Sequence, residues 1–178
     1  MKNRIALAEH FATLGFTKGA EVGVFGGYYS EVLCKAMPGL DLTCVDIWGW
    51  GKYQRAEDEC LARLKPYNVK IIKKYSVEAA QDIADESLDF VYIDAAHDYE
   101  NVLKDLEAWT PKVRIGGIVS GDDFYQGNSG GMGVMGAVTD FANDIRRKNF
   151  YDIKLTNWDL DNPVRDDRQP QFYFVRNK

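Results

Sequence analysis

Residues 21–46 read EVGVFGGYYSEVLCKAMPGLDLTCVD and contain a complete strand–helix–strand unit. The run at 21–25 predicts a buried strand, and the glycines that follow it predict a turn. Apolar residues recurring over 28–37 predict a helix, and the run at 42–46 predicts a second buried strand. A strand, a helix and a second strand in this order predict a right-handed crossover between two parallel strands of one sheet. This unit indicates an α/β fold.

The same alternation of short apolar runs and helical periods continues to the end of the chain. Further strands are predicted at 69–73, 88–93 and 117–120, and further helices at 53–65, 97–109 and 134–145. The segments 152–158 and 171–176 predict two strands without a helix between them, which is typical of an antiparallel hairpin. We therefore predict one domain over 1–178, with a Rossmann-like, doubly wound sheet of seven strands that is mostly parallel and ends in an antiparallel hairpin.

Composition and charge narrow the class of protein. Apolar residues make up 46% of the chain and charged residues 28%, as in ordinary globular proteins. The net charge of −5 argues against broad nucleic-acid binding, because phosphate backbones are bound by basic surfaces. No run approaches the roughly 18 apolar residues of a membrane span, and the first residues read as an amphipathic helix, so we expect a cytoplasmic protein without membrane contact. The cysteines lack a CxxC pair and are expected to be buried free thiols: Cys34, Cys44 and Cys60.

The turn after the first strand has the features of a ligand-binding loop. Its glycines let the backbone approach a ligand, and the next helix offers unpaired N–H groups. The spacing of Glu21, Gly23 and Gly27 suits a cationic amino-acid ligand, whereas Phe25 occupies the second glycine position of a dinucleotide motif. Asp46, after the second strand, can accept both hydroxyls of a ribose. A turn without a ligand and a solvated aspartate are the alternatives.

Acidic residues follow two neighbouring strands of the predicted sheet. Asp94 comes directly after the strand at 88–93, and Asp122 and Asp123 follow the strand at 117–120. Adjacent strands lie about 4.8 Å apart, so these carboxylates can converge, and they would repel one another unless protonated or bridged by a cation. Hard oxygen ligands suit Mg²⁺ or another divalent ion such as Mn²⁺ or Ca²⁺. The alternative is a set of loop aspartates that face solvent.

Three further features lie near the predicted crevice. His97, three residues after Asp94, is a candidate base or substrate contact, or else a structural residue at the start of a helix. Ser76 is predicted as a helix N-cap, a role compatible with contact to an adenine. The segment 48–53, with two tryptophans, and the segment 126–133, with four glycines, can form walls or lids over a substrate. A surface loop with packed tryptophans explains the first of them equally well.

Five segments together resemble the family known as methyltransferase domain type 24. They are EVGVFGGYYSEVL (21–33), VDIW (45–48), YSVEAA (75–80), LDFVYIDAAHDYENVLKDLEAW (88–109) and GGIVSGDDF (116–124). The resemblance covers roughly residues 18–150, and its most specific part is YIDAAHDYE followed by GGIVSGDDF. Relatives include sugar and antibiotic-tailoring O-methyltransferases, with the catechol-type O-methyltransferases more distant.

The resemblance implies a class I methyltransferase that uses S-adenosylmethionine. In metal-dependent relatives, residues at the positions of Asp94, Asp122 and Asp123 bind Mg²⁺. Catechol-type enzymes carry Asn where Asp123 stands, and most relatives have glycine at position 95 or 96, where this chain has alanine. The resemblance places Glu21, Gly23 and Gly27 at the methionine end, Asp46 at the ribose and Ser76 beside the adenine. The predicted cofactor contacts are Glu21, Gly23, Gly27, Ser30, Asp46, Ile47, Ser76 and Asp94.

The expected activity is metal-assisted O-methylation of a small-molecule hydroxyl, with His97 and Asp94 as catalytic residues. The hydroxyl of a sugar, a diol or a natural product fits, and methylation at nitrogen stays open. The alternatives are a non-catalytic nucleoside-binding module and an NAD-dependent oxidoreductase, against which Phe25 and the acidic cluster count. A homo-oligomer is possible if the edge strand at 171–176 pairs with a second copy.

Overall fold

The computed structural model describes residues 1–49, 51–125, 133–144, 146, 149–157 and 169–178. Within these residues the helices are α1 (Arg4–Thr13), α2 (Tyr28–Ala36), α3 (Lys52–Leu64), α4 (Ser76–Ala80), α5 (Tyr99–Trp109) and α6 (Gly133–Ala142). The strands are β1 (Lys18–Val22), β2 (Asp41–Asp46), β3 (Val69–Lys73), β4 (Leu88–Ile93), β5 (Val113–Gly121), β6 (Lys154–Leu155) and β7 (Phe172–Val175). None of the helices in this described part is long and apolar enough to cross a membrane.

The strands form one seven-stranded sheet in the order β3-β2-β1-β4-β5-β7-β6. The five strands from β3 to β5 pair in parallel, and β7 pairs antiparallel with both β5 and β6. The predicted fold class is therefore confirmed. From β1 the chain continues to β2 and β3 on one side of the sheet, and it then continues from β4 to β5 on the other side. Such a switch in strand order opens a crevice at the carboxyl ends of β1 and β4.

Two apolar cores cover the two faces of the sheet, because successive strand residues point to opposite sides. Helices α1, α2 and α3 pack on one face, where Leu7, Leu33 and Leu64 meet Phe90 of β4. Helices α4, α5 and α6 pack on the other face, where buried side chains such as Leu106 meet the opposite residues of the same strands. The three cysteines are buried free thiols in the first of these cores, as predicted.

Strand β1 is displaced from its predicted position. It runs over Lys18–Val22 and not over 21–25. Its first half lacks bulky apolar residues because the ring of Phe90 occupies the space beside Gly19, where a Cβ atom would lie 2.2 Å from that ring. It ends at Val22 because Gly23 turns the chain with a φ of +92°.

The C-terminal strand is not an edge strand. Strand β7 lies between β5 and β6, so the prediction that 171–176 forms a free edge is wrong. The described edges are β3 and the two-residue strand β6, which falls within the predicted strand at 152–158. Residue 158 of that segment, residue 145 of the predicted last helix and most of the glycine-rich segment at 126–133 lie outside the described residues.

Candidate active site

Gly23 stands where β1, β2 and β4 meet. Its N–H donates to the carbonyl of Val45 at 2.8 Å, which keeps β1 aligned with β2 beyond the last strand residue. On the other side, a Cβ atom at Gly23 would lie 2.0 Å from the carbonyl oxygen of Asp94. Only glycine fits this close approach of two backbones at a positive φ. The glycine therefore brings the end of β1 directly beside the start of the acidic loop after β4.

The loop between Gly23 and Gly27 is held at its backbone by three side chains. Asp46 accepts a hydrogen bond from the N–H of Phe25 at 2.8 Å, and the indole Nε1 of Trp48 donates to the carbonyl of Phe25 at 2.8 Å. Arg63 Nε donates to the carbonyl of Gly26 at 3.0 Å. The loop is thus fixed before any ligand binds. Sequence reasoning missed Arg63, because nothing in the α3 segment marks it as facing the loop.

Asp46 and Trp48 have structural roles in this arrangement. The second oxygen of Asp46 accepts from the N–H of Trp48 at 2.8 Å, so each oxygen of the carboxylate keeps one lone pair for a ribose hydroxyl. The side chain of Trp48 is buried at 2% exposure, which agrees with the packed tryptophan of the two alternatives that the sequence left open for this segment. Residue 50 of the same segment lies outside the described residues.

Glu21 is the most buried acidic residue of the crevice, with only 2% of its surface exposed. The hydroxyl of Ser30, which is fully buried, donates to Glu21 Oε2. Burial raises the pKa of Glu21 to about 8, although the hydrogen bond from Ser30 opposes this shift. Ser30 therefore supports Glu21 from below and presents no surface of its own to a ligand. Gly27 is the N-cap residue that precedes α2, and it has a left-handed conformation with a φ of +75°.

Replacing Glu21 with Gln is expected to stabilise the protein at alkaline pH. The native pKa near 8 lies above the ordinary value of 4.5, so the contribution of Glu21 to stability falls as pH rises from 4.5 to about 8. The glutamine side chain keeps an acceptor for Ser30 and carries no charge. We expect a Tm at pH 9 higher by about 3 °C or more, roughly 1 kcal/mol, and no gain at pH 4.5. A lower Tm of the variant at pH 9 would contradict the claim that the buried, charged Glu21 carboxylate destabilises the protein at this pH.

Two further predicted cofactor contacts, Ile47 and Ser76, differ in their surroundings. Ile47 is 40% exposed directly after β2, where it is available to a ligand. Ser76 is not the N-cap of α4, because Tyr75 occupies that position and Ser76 is the first helical residue. Its hydroxyl accepts a hydrogen bond from Trp109 Nε1 at 2.9 Å and also bonds Asp105. Ser76 thus ties α4 to α5, and its hydroxyl is already engaged there.

Asp94, His97 and Asp123 come together at the carboxyl ends of β4 and β5. His97 Nδ1 lies 2.9 Å from Asp123 Oδ2, and His97 Nε2 lies 3.3 Å from Asp94 Oδ1. One ligand atom from each of the three residues lies within 4.8 Å of the others. Two carboxylates and an imidazole at this spacing form a donor set that a divalent cation can occupy. The sequence predicted a convergence of Asp94, Asp122 and Asp123, with His97 at the mouth of the same crevice. The structure brings Asp94 and Asp123 together with His97, and the group does not include Asp122.

Asp122 lies outside this group. It is 5% exposed, and its Oδ1 accepts hydrogen bonds from Gln171 Nε2 at 2.8 Å and from the N–H of Asp123 at 2.9 Å. Its Oδ2 lies 3.5 Å from Arg4 Nη1. Asp123 has a φ of +58°, a left-handed conformation that aspartate tolerates. Burial, together with the charge of Asp94, raises the pKa of Asp122 to about 6.

The two carboxylates around His97 hold it in the charged form. Hydrogen bonds to Asp123 and Asp94 raise the pKa of His97 to about 10. Burial raises the pKa of Asp94, and its contact with His97 opposes that shift. In the absence of a bound cation, His97 therefore acts as the counter-charge of the acidic group and holds a proton at neutral pH.

In the absence of divalent ions, stability is expected to fall between pH 6.5 and about 10. The native pKa of His97 lies above the ordinary value of 6.5, so its contribution is fully present below 6.5 and is lost as pH rises through 10. Chemical unfolding in EDTA across this range measures the effect. His97→Gln keeps hydrogen-bonding groups but does not titrate, so the variant should lose this part of the pH dependence. Identical pH profiles of stability for the native protein and the variant would contradict the claim that a protonated His97 is paired with Asp94 and Asp123.

The family profile for the methyltransferase domain of type 24 matches residues 20–124, which is more than half of the chain. The chain belongs to this methyltransferase family. A relative at 29% identity over 104 residues is the uncharacterized protein y4gI of Sinorhizobium fredii. The match covers 52% of this chain and 11% of that protein, so the chain spans about a tenth of the relative's length.

Solved structures with low sequence identity share the fold of this chain. An O-methyltransferase from Bacillus cereus in complex with SAH is 16% identical, with a TM-score of 0.72 over 97% of this chain and 80% of that chain. An rRNA methylase from Streptococcus thermophilus is 11% identical, with a TM-score of 0.68 over 100% of this chain and 99% of that chain. The class I S-adenosylmethionine-dependent methyltransferase fold predicted from the sequence is therefore confirmed.

Proposed function

We propose that the protein transfers the methyl group of S-adenosylmethionine to a hydroxyl of a small molecule, with the help of a divalent cation. The observation that carries the proposal is the convergence of Asp94, His97 and Asp123 within 4.8 Å, next to the glycine loop. Gly23 links the glycine loop, which would hold the cofactor, to this acidic group, because its backbone lies against that of Asp94. A methyl donor held by the loop would thus end beside the acidic group.

The cofactor half follows from the first three strands. Glu21 lies under the loop, where its carboxylate can balance the ammonium group of the methionine moiety. Asp46 retains a lone pair on each oxygen for the ribose hydroxyls, and Ile47 offers an exposed apolar surface for the adenine. S-adenosylmethionine would supply an electrophilic methyl group at this position. The fixed loop backbone orients the donor before the acceptor arrives.

The metal half follows from β4 and β5. Asp94 and Asp123 are the residues that we assign to a divalent cation, and oxygen donors of this kind fit Mg²⁺ or Mn²⁺. Asp122, the third predicted ligand, is not part of this assignment, because its oxygens are engaged by Gln171, the N–H of Asp123 and Arg4. Such a cation would supply positive charge that lowers the pKa of a substrate hydroxyl. Neutralising Asp94 and Asp123 would remove the contacts that raise the pKa of His97, so His97 can then accept the proton of the hydroxyl. Asp94 and His97 are the catalytic residues of this proposal.

A small-molecule acceptor agrees with the charge of the crevice. Two carboxylates, Asp94 and Asp123, lie at the proposed position of the acceptor, and they would repel the phosphates of a nucleic acid. A neutral polyol, a catechol or a sugar carries the paired oxygens that a divalent cation can orient. We therefore infer a diol or sugar hydroxyl as the acceptor.

The proposal is tested by methyl transfer from radiolabelled S-adenosylmethionine. The purified protein is incubated with catechols, sugars, amines and rRNA in parallel, with Mg²⁺ and again with EDTA. We expect labelled diol or sugar in the presence of Mg²⁺ and at least a tenfold lower rate in EDTA. If only amines or only rRNA become labelled, the proposed acceptor class is wrong. If the rate with EDTA equals the rate with Mg²⁺, the reaction does not depend on a metal ion.

A further inference from the structure

Arg4, the first residue of α1, carries a positive charge to the carboxyl edge of the sheet. Its guanidinium carbon lies 5.4 Å from the centre of the Tyr29 ring, and its Nη1 lies 3.5 Å from Asp122 Oδ2. Tyr29 belongs to the first turn of α2, which follows β1, whereas Asp122 follows β5. Because β4 lies between β1 and β5, these two contacts place the guanidinium beside the end of β4, at the crevice.

Tyr29 holds Arg4 in this position through two contacts. The hydroxyl of Tyr29 donates to the carbonyl oxygen of Arg4 at 3.1 Å, and its ring packs against the guanidinium. The Arg4 side chain is 17% exposed, so it is largely enclosed and still accessible from the crevice. A guanidinium has five N–H donors in a planar fork, more than the contact with Asp122 uses, and this fork matches the geometry of a carboxylate. Arg4 can therefore receive an anionic group of a ligand in the crevice.

Glu21 is the acidic counterpart of Arg4 at this end of the crevice. Glu21 is paired with Tyr92 in the parallel ladder of β1 and β4, and the ring of Tyr92 lies 4.2 Å from that of Tyr29, the residue that holds Arg4. Burial raises the pKa of Glu21, and the positive charge of Arg4 opposes that shift. The crevice thus offers one acidic and one basic side chain close together, as a zwitterionic amino-acid ligand requires.

We propose that Arg4 binds the carboxylate of the methionine moiety of S-adenosylmethionine and selects the donor that carries this group. The inference rests on the proposed function, in which Glu21 balances the adjacent ammonium group. Without Arg4, the carboxylates of Glu21, Asp94 and Asp123 would repel the carboxylate of the ligand. Arg4 precedes residues 20–124 of the family match, so α1 contributes a part of the site that the match does not include.

The test compares two ligands in the native protein and in Arg4→Met by calorimetry. The ligands are S-adenosylmethionine and decarboxylated S-adenosylmethionine, which keeps the adenosine, sulfonium and ammonium groups and lacks only the carboxylate. We expect Arg4→Met to bind S-adenosylmethionine about tenfold more weakly or worse, because it loses a hydrogen-bonded charge pair. Its affinity for the decarboxylated ligand should stay within about twofold of native, since that ligand has no group for Arg4.

Arg114→Met is the matched control. The Arg114 guanidinium carbon also lies 5.4 Å from the centre of an aromatic ring, that of Phe16, and its Nε lies 2.8 Å from Asp89 Oδ1. Arg114 is the second residue of β5, so it lies at the opposite edge of the sheet from the crevice. The control therefore removes a similar arginine contact, and the affinities for both ligands should remain native.

The outcomes separate this inference from the proposed function. Equal losses of affinity for the two ligands in Arg4→Met would overturn the inference, because Arg4 would then act only through the fold of the site. Unchanged affinity for S-adenosylmethionine in this variant would overturn it as well, and both results leave the proposed function in place. Absence of S-adenosylmethionine binding in the native protein would overturn both. If Arg4→Met does not fold, Arg4→Gln provides the same comparison, since glutamine keeps hydrogen-bonding groups near Asp122 and carries no charge.

Discussion

Replacing Asp94 with Asn is expected to abolish divalent-cation binding and to lower kcat/KM by about 100-fold or more. A metal ion at such a site supplies several kcal/mol of charge stabilisation, and a hundredfold corresponds to about 2.7 kcal/mol. Asparagine has the same shape as aspartate but lacks its charge. It would also leave His97 with one carboxylate in place of two. Kinetics with Mg²⁺ and direct Mn²⁺ binding measure the two effects.

Asp98 provides the matched control for this substitution. It lies four residues further along the chain, and its side chain caps α5 by accepting from the N–H of Asn101 at 3.1 Å. Asparagine caps helices as well as aspartate does, so Asp98→Asn should leave both stability and turnover near the native values. If Asp94→Asn retains native turnover, or if the two variants lose activity equally, Asp94 is not the centre of the reaction.

Replacing Gly23 with Ala is expected to prevent stable folding. The new Cβ atom would lie 2.0 Å from the carbonyl oxygen of Asp94, and the backbones of both residues are hydrogen-bonded to neighbouring strands. A positive φ adds about 1–2 kcal/mol for a residue with a side chain. Because neither backbone can move without breaking strand pairs, we expect a loss of about 4 kcal/mol or more. Circular dichroism and chemical unfolding measure this loss.

Gly39 separates the steric cause from the cost of the backbone conformation. Its φ of +87° is close to the +92° of Gly23, yet a Cβ atom added at Gly39 would meet no atom within 4 Å. Gly39→Ala should therefore cost only the conformational part, about 1–2 kcal/mol. Similar losses at both positions would show that the approach of Gly23 to Asp94 is not what makes glycine necessary.

The fold was predictable wherever a strand is both apolar and regular. Strands β3 and β4 occupy the predicted ranges, because every second residue of each packs into one of the cores. Strand β1 was misplaced because its pairing depends on Gly19 and on the ring of Phe90, a contact between distant positions. The position of β7 inside the sheet follows from its pairing with β5, which a local pattern cannot show.

The acidic site was predictable in its position but not in the direction of its side chains. Parallel strands end at one edge, so Asp94 and Asp123 had to approach each other. Asp123 joins the group with His97 whereas Asp122 lies outside it, and a pair of aspartates in a sequence gives no sign of this difference. Arg4 and Gln171 reach the site from α1 and the C-terminal hairpin, through contacts that span 118 and 49 positions.

The most direct test of the proposed activity is calorimetric titration with S-adenosylmethionine, with and without Mg²⁺, and with NAD⁺ in parallel. We predict micromolar binding of S-adenosylmethionine at one site per chain and no binding of NAD⁺, because Phe25 occupies the place of a glycine in the dinucleotide motif. Binding of NAD⁺, or no binding of S-adenosylmethionine in either condition, would contradict the assignment of the crevice to a methyl donor.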